Sequence, residues 1–224
     1  LISSYTFGIY PRSEELIEAT RKNTENLDSL FQSETEGYIS AQKNANLGFV
    51  SDPLLKWDDI FRPFVNPPAV KPAALNRIFE MNTFYRVLSF MEHPTAWMEA
   101  NHCIDKNLAL SLLPKNRTVA VVEPYTFASL HHSESRHLDP NEEFGMFSRN
   151  LALRLRNEIN YLVEAGFEVI QLLAPSIAYN KEVDFGLVSD GLKILTDGLE
   201  AKTVLHTYFG DVSKKIESLL DLPV

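Results

Sequence analysis

The chain has 224 residues, of which 45% are hydrophobic, and one buried core over residues 1–224 is therefore expected. Its formal net charge of −9, with scattered basic residues, excludes nucleic acid and an acidic membrane surface as natural partners. Cys103 is the single cysteine, so no internal disulfide or multi-cysteine metal site exists, and the lack of a leader or long apolar run indicates a cytoplasmic protein.

The first half of the chain predicts short strands, two helices and a proline-rich stretch. A strand is expected near residues 5–9, followed by a helix that Ser13 can cap. A second helix is expected at about 24–43 and a second strand near 46–50. Residues 52–75 combine prolines with aromatic residues, which predicts a long loop packed on the body of the protein.

The second half predicts regular alternation of strands and helices. After an ambiguous strand at 85–90 and a helix near 96–101, apolar strands are predicted at 118–122, 167–173 and 203–208. Asp139 and Pro140 predict the start of a long helix with one apolar face, which Gly166 ends. A further helix is predicted at 183–199, and a helix-like stretch follows at 212–220.

This alternation is typical of right-handed βα units around a parallel sheet. The predicted fold class is α/β, a TIM-type (β/α)8 barrel of which about the first six units are present in a single domain. Either two units lie beyond Val224, so that the domain is truncated at its C-terminal end, or the sheet stays open. Unpaired sheet edges would invite a second barrel or self-association.

In such folds, the polar side chains that follow the strands share one mouth. The candidate ligand-binding residues there are Arg12, Asp52, Glu123, Tyr125, Thr126, Ser176, His206, Tyr208 and Asp211. The set suits a polar, partly anionic small molecule, although some members are expected to be helix caps or to neutralise each other. A helix cap is the preferred role of Asp211, and no catalytic residue is assigned.

A second polar cluster contains residue types that bind metals. Its members are His131, His132, Glu134 and His137. They lie in a polar stretch before the Asp139 helix start, and a solvated loop is the preferred interpretation. No metal is therefore assigned to this cluster.

Four segments follow one another in the order and spacing of a known family. They are Thr-Phe-Gly-Ile-Tyr-Pro-Arg at 6–12, Glu-Pro-Tyr-Thr at 123–126, Ala-Gly-Phe-Glu-Val-Ile-Gln at 165–171 and Thr-Tyr-Phe-Gly-Asp at 207–211. Together they resemble cobalamin-independent methionine synthase, a family with two similar barrels. The resemblance implies methyl transfer from a methylated folate, or another methyl donor, to homocysteine. In that family a zinc ion in the catalytic barrel activates the homocysteine thiol, and the metal-free barrel helps to hold the folate tail.

The chain departs from the family pattern at the zinc ligands. The catalytic motif is histidine, any residue, cysteine, whereas Tyr208 stands at the cysteine position after His206. Leu173-Ala174-Pro175 stands where Asp-Glu-Pro is usual. The resemblance therefore implies a metal-free barrel of the amino-terminal type, which binds no cofactor itself and in which Arg12 steers an anionic group of a folate- or homocysteine-like ligand.

Whether the chain is an enzyme stays open, with a methyltransferase favoured. One alternative is a non-catalytic small-molecule or folate-binding module. The other is a relative of the uroporphyrinogen-decarboxylase-like or corrinoid methyltransferase enzymes.

Overall fold

The computed structural model describes residues 3–65, 70–90, 103–131 and 140–224. Its strands are β1 (Val50–Ser51), β2 (Val70–Arg77), β3 (Phe84–Phe90), β4 (Arg117–Val122), β5 (Phe167–Leu173) and β6 (Lys202–His206). Strands β1, β4, β5 and β6 form one sheet in that order, and every neighbouring pair is parallel. The fold class is α/β with a parallel sheet of the TIM-barrel type, as predicted.

Helices precede, connect and follow the strands of this sheet. They are α1 (Glu14–Lys22), α2 (Leu27–Asn44), α3 (Pro124–His131), α4 (Pro140–Glu164), α5 (Pro175–Tyr179), α6 (Phe185–Thr196) and α7 (Ile216–Leu220), with 3-10 turns at Arg62–Phe64, Asp105–Asn107 and Ser213–Lys215. Ser13 caps α1 as predicted, because its hydroxyl accepts a hydrogen bond from the Leu16 amide at 3.0 Å. Among the described residues, no helix is long and apolar enough to cross a membrane.

The core lies between the sheet and its covering helices. The apolar face predicted for α4 is confirmed, since Leu151, Leu155, Ile159 and Leu162 are all at most 1% exposed. Burying one such side chain contributes about 1.5–3 kcal/mol, so this face is a main source of stability. Strands β4 and β5 are buried along most of their length, which explains their continuous apolar sequences.

The strand predicted at 5–9 is wrong. Residues 3–10 run beside β1 without forming a ladder, and two backbone hydrogen bonds hold them there, from Phe49 to Ser4 and from Tyr10 to Pro53. Gly8 has a φ of +90°, a left-handed conformation that interrupts extended pairing. The strand predicted near 46–50 is also shorter than expected, since β1 contains only Val50–Ser51.

A hairpin replaces the loop and the parallel strand that the sequence predicted between 70 and 90. Strand β3 covers the predicted 85–90 segment, but it pairs antiparallel with β2, apart from the parallel sheet. Pro72 lies within β2, next to a register shift between Pro72 and Leu75 that accommodates its missing N–H. The described residues thus contain four parallel strands, fewer than the six predicted units. The helix predicted near 96–101 and Asp139 lie outside the described residues.

Candidate functional site

The carboxyl ends of β4, β5 and β6 are level at one edge of the sheet, whereas β1 ends beside the start of β4. The register pairs Ser51 with Thr118, Val122 with Leu173, and Leu173 with His206. Side chains paired in this way point to the same face. The structure therefore places the residues that end β4, β5 and β6 around a common rim, where the sequence predicted a site, whereas Asp52, which follows β1, lies nearer the amino end of β4.

Glu123 is fully buried directly after β4. Its two carboxylate oxygens accept hydrogen bonds from the backbone amides of Tyr125 at 2.7 Å and Thr126 at 2.5 Å, which lie in the first turn of α3. Burial raises the pKa of the Glu123 carboxyl to about 7, against hydrogen bonds from Thr126 and Tyr125 that lower it. Glu123 is therefore a helix cap that exchanges a proton near neutral pH.

The candidate residues around Glu123 form one polar cluster. The hydroxyl of Thr126 accepts a hydrogen bond from the Ser176 amide at 3.3 Å, so the ends of β4 and β5 are joined. Ser176 is fully buried, and its hydroxyl has no hydrogen-bonding partner among the described residues. Tyr125 is 6% exposed and packs against the ring of Phe144. These side chains are available to a ligand only through a rearrangement of the rim.

Asp52 is a buried cap after β1. One oxygen accepts a hydrogen bond from the Leu54 amide at 2.7 Å, and the other accepts one from the Ala109 amide at 2.8 Å. Burial raises the pKa of Asp52, while these hydrogen bonds and the charge of Lys56 lower it. Asp52 thus fastens its own loop to the loop that contains Ala109.

His206 lies at the end of β6 among aromatic side chains. Its Nε2 is 3.2 Å from the Tyr5 hydroxyl, and its ring stacks on Phe7 with 4.6 Å between centroids. The ring of Phe7 is also 5.9 Å from that of Tyr208. Burial lowers the pKa of His206 and raises that of Tyr208. His206, the last residue of β6, is therefore part of an aromatic cluster.

Arg12 and Asp211 are engaged locally. The Arg12 guanidinium donates to the carbonyl oxygens of Leu55 and Trp57 at 2.6 and 3.2 Å and pairs with Asp58 at 2.9 Å. Asp211 accepts hydrogen bonds from the amide and the hydroxyl of Ser213, the first residue of a 3-10 turn whose N-cap position is residue 212. Asp211 therefore satisfies a backbone donor as predicted, one residue before the cap position. Ligand binding by the nine candidate residues stays a prediction.

Sequence reasoning missed a polar network under residues 6–8. The Thr6 hydroxyl lies 2.7 Å from the Ser51 hydroxyl and donates to the amide oxygen of Gln42 at 3.0 Å. Gln171 donates to the Thr118 hydroxyl at 2.8 Å and to the Thr6 carbonyl at 3.3 Å. Polar residues inside the apolar strands 118–122 and 167–173 were the signal that could have revealed this network.

The described residues do not fit a zinc site. In residues 3–65, 70–90, 103–131 and 140–224, no three His, Cys, Asp or Glu side chains lie close enough to hold a metal ion. His206 faces Tyr5 and Phe7, which are not zinc ligands. That the chain binds no zinc nevertheless stays a prediction, which a measurement of metal content can decide.

The solvated loop predicted for the histidine cluster is wrong at His131. This side chain is 1% exposed and is surrounded by the rings of Phe61, Tyr85 and Phe127. Its Nδ1 is 2.9 Å from the Phe127 carbonyl, and burial lowers its pKa to about 4. His131 is a neutral core residue, while His132, Glu134 and His137 lie outside the described residues.

A parallel sheet with a polar rim at its carboxyl edge defines a member of the TIM-barrel class, and comparison with known proteins identifies the family. Residues 58–224 match the family described as the N-terminal domain of cobalamin-independent synthase. The chain belongs to this family, which confirms the resemblance drawn from the sequence.

Individual relatives agree with this assignment. The chain is 25% identical to methionine synthases of Sulfurisphaera tokodaii and Saccharolobus solfataricus, over 99% and 95% of its own length. It spans 65% and 64% of these relatives. It also shares its fold with a B12-independent methionine synthase from Shewanella sp. W3-18-1, solved in complex with selenomethionine, with a TM-score of 0.62 at 19% identity. That match covers 94% of this chain and 62% of the other.

Proposed function

We propose that this chain is a metal-free barrel of the amino-terminal type that takes part in methyl transfer from a methylated folate to homocysteine. The observation that carries the proposal is the match of residues 58–224 to the N-terminal domain of the cobalamin-independent synthase family. The selenomethionine in the Shewanella synthase supports a small amino-acid ligand for proteins of this fold. A zinc-bearing barrel, on another chain or segment, would supply the activated thiol.

The geometry of the candidate residues favours binding over chemistry. Asp52 and Glu123 both use their carboxylates on backbone amides, and Arg12 uses its guanidinium on two carbonyls and Asp58. A group that activates a thiol or moves a proton must reach the substrate, and these side chains already have partners. The proposed role is therefore to hold a small-molecule ligand in the cytoplasm, without a bound cofactor.

The uroporphyrinogen-decarboxylase-like and corrinoid alternatives are not favoured, because the matches described above are to methionine synthases. The non-catalytic binding module differs from the proposal only in whether a synthase barrel uses the bound ligand. A methyl-transfer assay with and without such a barrel separates the two.

Equilibrium binding of methyltetrahydrofolate and of homocysteine tests the proposal. We expect saturable binding of one of them and no methionine formation by the chain alone. When a separate zinc-bearing synthase barrel is added, we expect the rate of methionine formation to rise in proportion to the amount of this chain. Absence of binding to both compounds, together with no effect on the added barrel, would contradict the proposal.

A further inference from the structure

A small cavity lies between residues 6–8 and strands β1, β4 and β5. Its volume of about 10 Å³ is the space that one water-sized group occupies. The polar residues that line it are Thr6, Ser51, Asp52, Thr118 and Gln171, and its other lining residues are apolar. None of these lining residues carries a positive charge. The cavity is therefore rich in oxygen atoms and contains no cation of its own.

Gln171 supplies an oxygen that lacks a donor. Its side chain is 1% exposed, and its Nε2 donates to the Thr118 hydroxyl and to the Thr6 carbonyl. A carbonyl oxygen can only accept, so the amide nitrogen must face Thr6 and the orientation of the amide is fixed. The amide oxygen of Gln171 then has no hydrogen-bonding partner in the described part of the chain. A buried acceptor without a donor is destabilising.

Asp52 adds negative charge to the same cavity. It is 6% exposed, and each of its oxygens accepts one backbone N–H. A carboxylate can accept about four hydrogen bonds, so Asp52 retains capacity for further donors. Burial raises the pKa of Asp52, while its two backbone hydrogen bonds and the charge of Lys56, which does not line the cavity, lower it. The lining thus combines an unpartnered oxygen with a carboxylate that is not neutralised by another lining residue.

We propose that this cavity binds the ammonium head of a small primary amine, which donates to the Gln171 amide oxygen and lies beside Asp52. A primary ammonium is the size of a water molecule and carries three N–H donors as well as a positive charge. The rest of the amine leaves past Phe7, whose side chain is 48% exposed. Gly8 permits the necessary shift of residues 6–8, because its φ is +90° and the space around it is open. The site stands independently of the proposed function.

A titration followed by NMR tests the site on the full chain. Methylammonium chloride is the probe, and tetramethylammonium chloride, which has the same charge but no N–H donor, is the control. We expect the side-chain amide resonances of Gln171 to shift saturably with methylammonium and to remain still with tetramethylammonium. Gln171→Leu is expected to weaken methylammonium binding by about tenfold or more, since a hydrogen bond to a charged group is lost.

The matched variant is Gln32→Leu, which changes an exposed glutamine on α2 and is expected to leave binding unchanged. Equal shifts with both ammonium salts, or binding that survives Gln171→Leu, would overturn the proposal. If Gln171→Leu does not fold, the test uses the backbone amide resonances of Thr6, Ser51 and Thr118 in the unmodified chain. These resonances must shift with methylammonium and not with tetramethylammonium. If they do not shift with methylammonium, the site is refuted.

Discussion

Two buried glutamates of this protein have opposite electrostatic surroundings. Glu158, on α4, is 1% exposed and pairs with Arg154 at 2.5 Å. Glu123, at the rim of the sheet, is fully buried, and backbone amides and the Thr126 hydroxyl are the partners that lower its pKa. The comparison shows that burial alone does not determine the role of an acid. A paired carboxylate fixes structure, whereas one without a cation becomes a proton-exchanging group.

Glu158 fixes the loop that precedes β4 to the long helix. Its carboxylate accepts hydrogen bonds from the amides of Cys103 at 3.0 Å and Ile104 at 3.1 Å, beside the 3-10 turn Asp105–Asn107. Burial and the negative charge of Glu158 raise the pKa of the Cys103 thiol. Cys103 is therefore an unreactive structural residue, in agreement with the simplest interpretation of a single cysteine.

The largest expected effect comes from removing the cation of the paired site. Arg154→Leu leaves Glu158 buried without its counter-charge, and a loss of about 3–5 kcal/mol in the free energy of unfolding is expected. Leucine and arginine have similar helix propensities, so the charge is the main change. Urea denaturation measures the loss.

Arg21→Leu is the matched control for that substitution. It removes an exposed ion pair with Glu18, for which less than about 1 kcal/mol is expected. If the two variants were equally stable, the buried pair would not have the structural role that the comparison assigns to it.

The next effect concerns Glu123 and the dependence of stability on pH. Because its folded-state pKa is raised from 4.5 to about 7, the folded protein binds more protons than the unfolded chain between these values. The free energy of unfolding is therefore expected to fall by about 3 kcal/mol as pH rises from 4.5 to 7. Above that range Glu123 makes no further contribution to the pH dependence. Denaturation at several pH values gives the slope.

Glu123→Gln is expected to remove this slope, because the amide does not titrate. An exposed glutamate at the opposite end of β5 provides the control, since Glu168→Gln should leave the slope of the parent protein intact. Parallel slopes for the parent and Glu123→Gln would assign the pH dependence to other groups.

The smallest expected effect concerns the hydroxyl of Thr126 beside Glu123. The Thr126 hydroxyl lowers the pKa of Glu123 and accepts the Ser176 amide. Thr126→Val keeps the shape of the side chain but removes both interactions. A loss of about 1 kcal/mol is expected, and the midpoint of the pH transition should move above 7. A midpoint that stays or moves downward would contradict the role of this hydroxyl.

Patterns along the chain predicted the α/β class, the three long parallel strands and the apolar face of α4. These features depend on local periodicity and on burial of whole strands, which the sequence expresses directly. The hairpin β2–β3 was missed because Pro72 normally interrupts a strand, and only its pairing register reveals how it is accommodated.

The candidate site was predicted less completely than the fold. The rim position of Glu123, Ser176 and His206 followed from the alternation of strands and helices. The hydrogen-bonding partners of the candidate side chains could not be predicted in the same way. The Ala109 amide, for example, reaches Asp52 from a loop that lies 57 positions later in the chain. Gln171 was overlooked within an apolar strand, since its significance depends on contacts with Thr6, which lies 165 positions earlier in the chain.

The metal content of the purified protein tests the central claim most directly. The resemblance drawn from the sequence implies that Tyr208 stands at the cysteine position of the catalytic zinc motif, and His206 contacts the aromatic side chains of Tyr5 and Phe7. Elemental analysis after exhaustive dialysis is therefore expected to find zinc far below one ion per chain. A stoichiometric content of about one zinc per chain would contradict the assignment to the metal-free type of barrel.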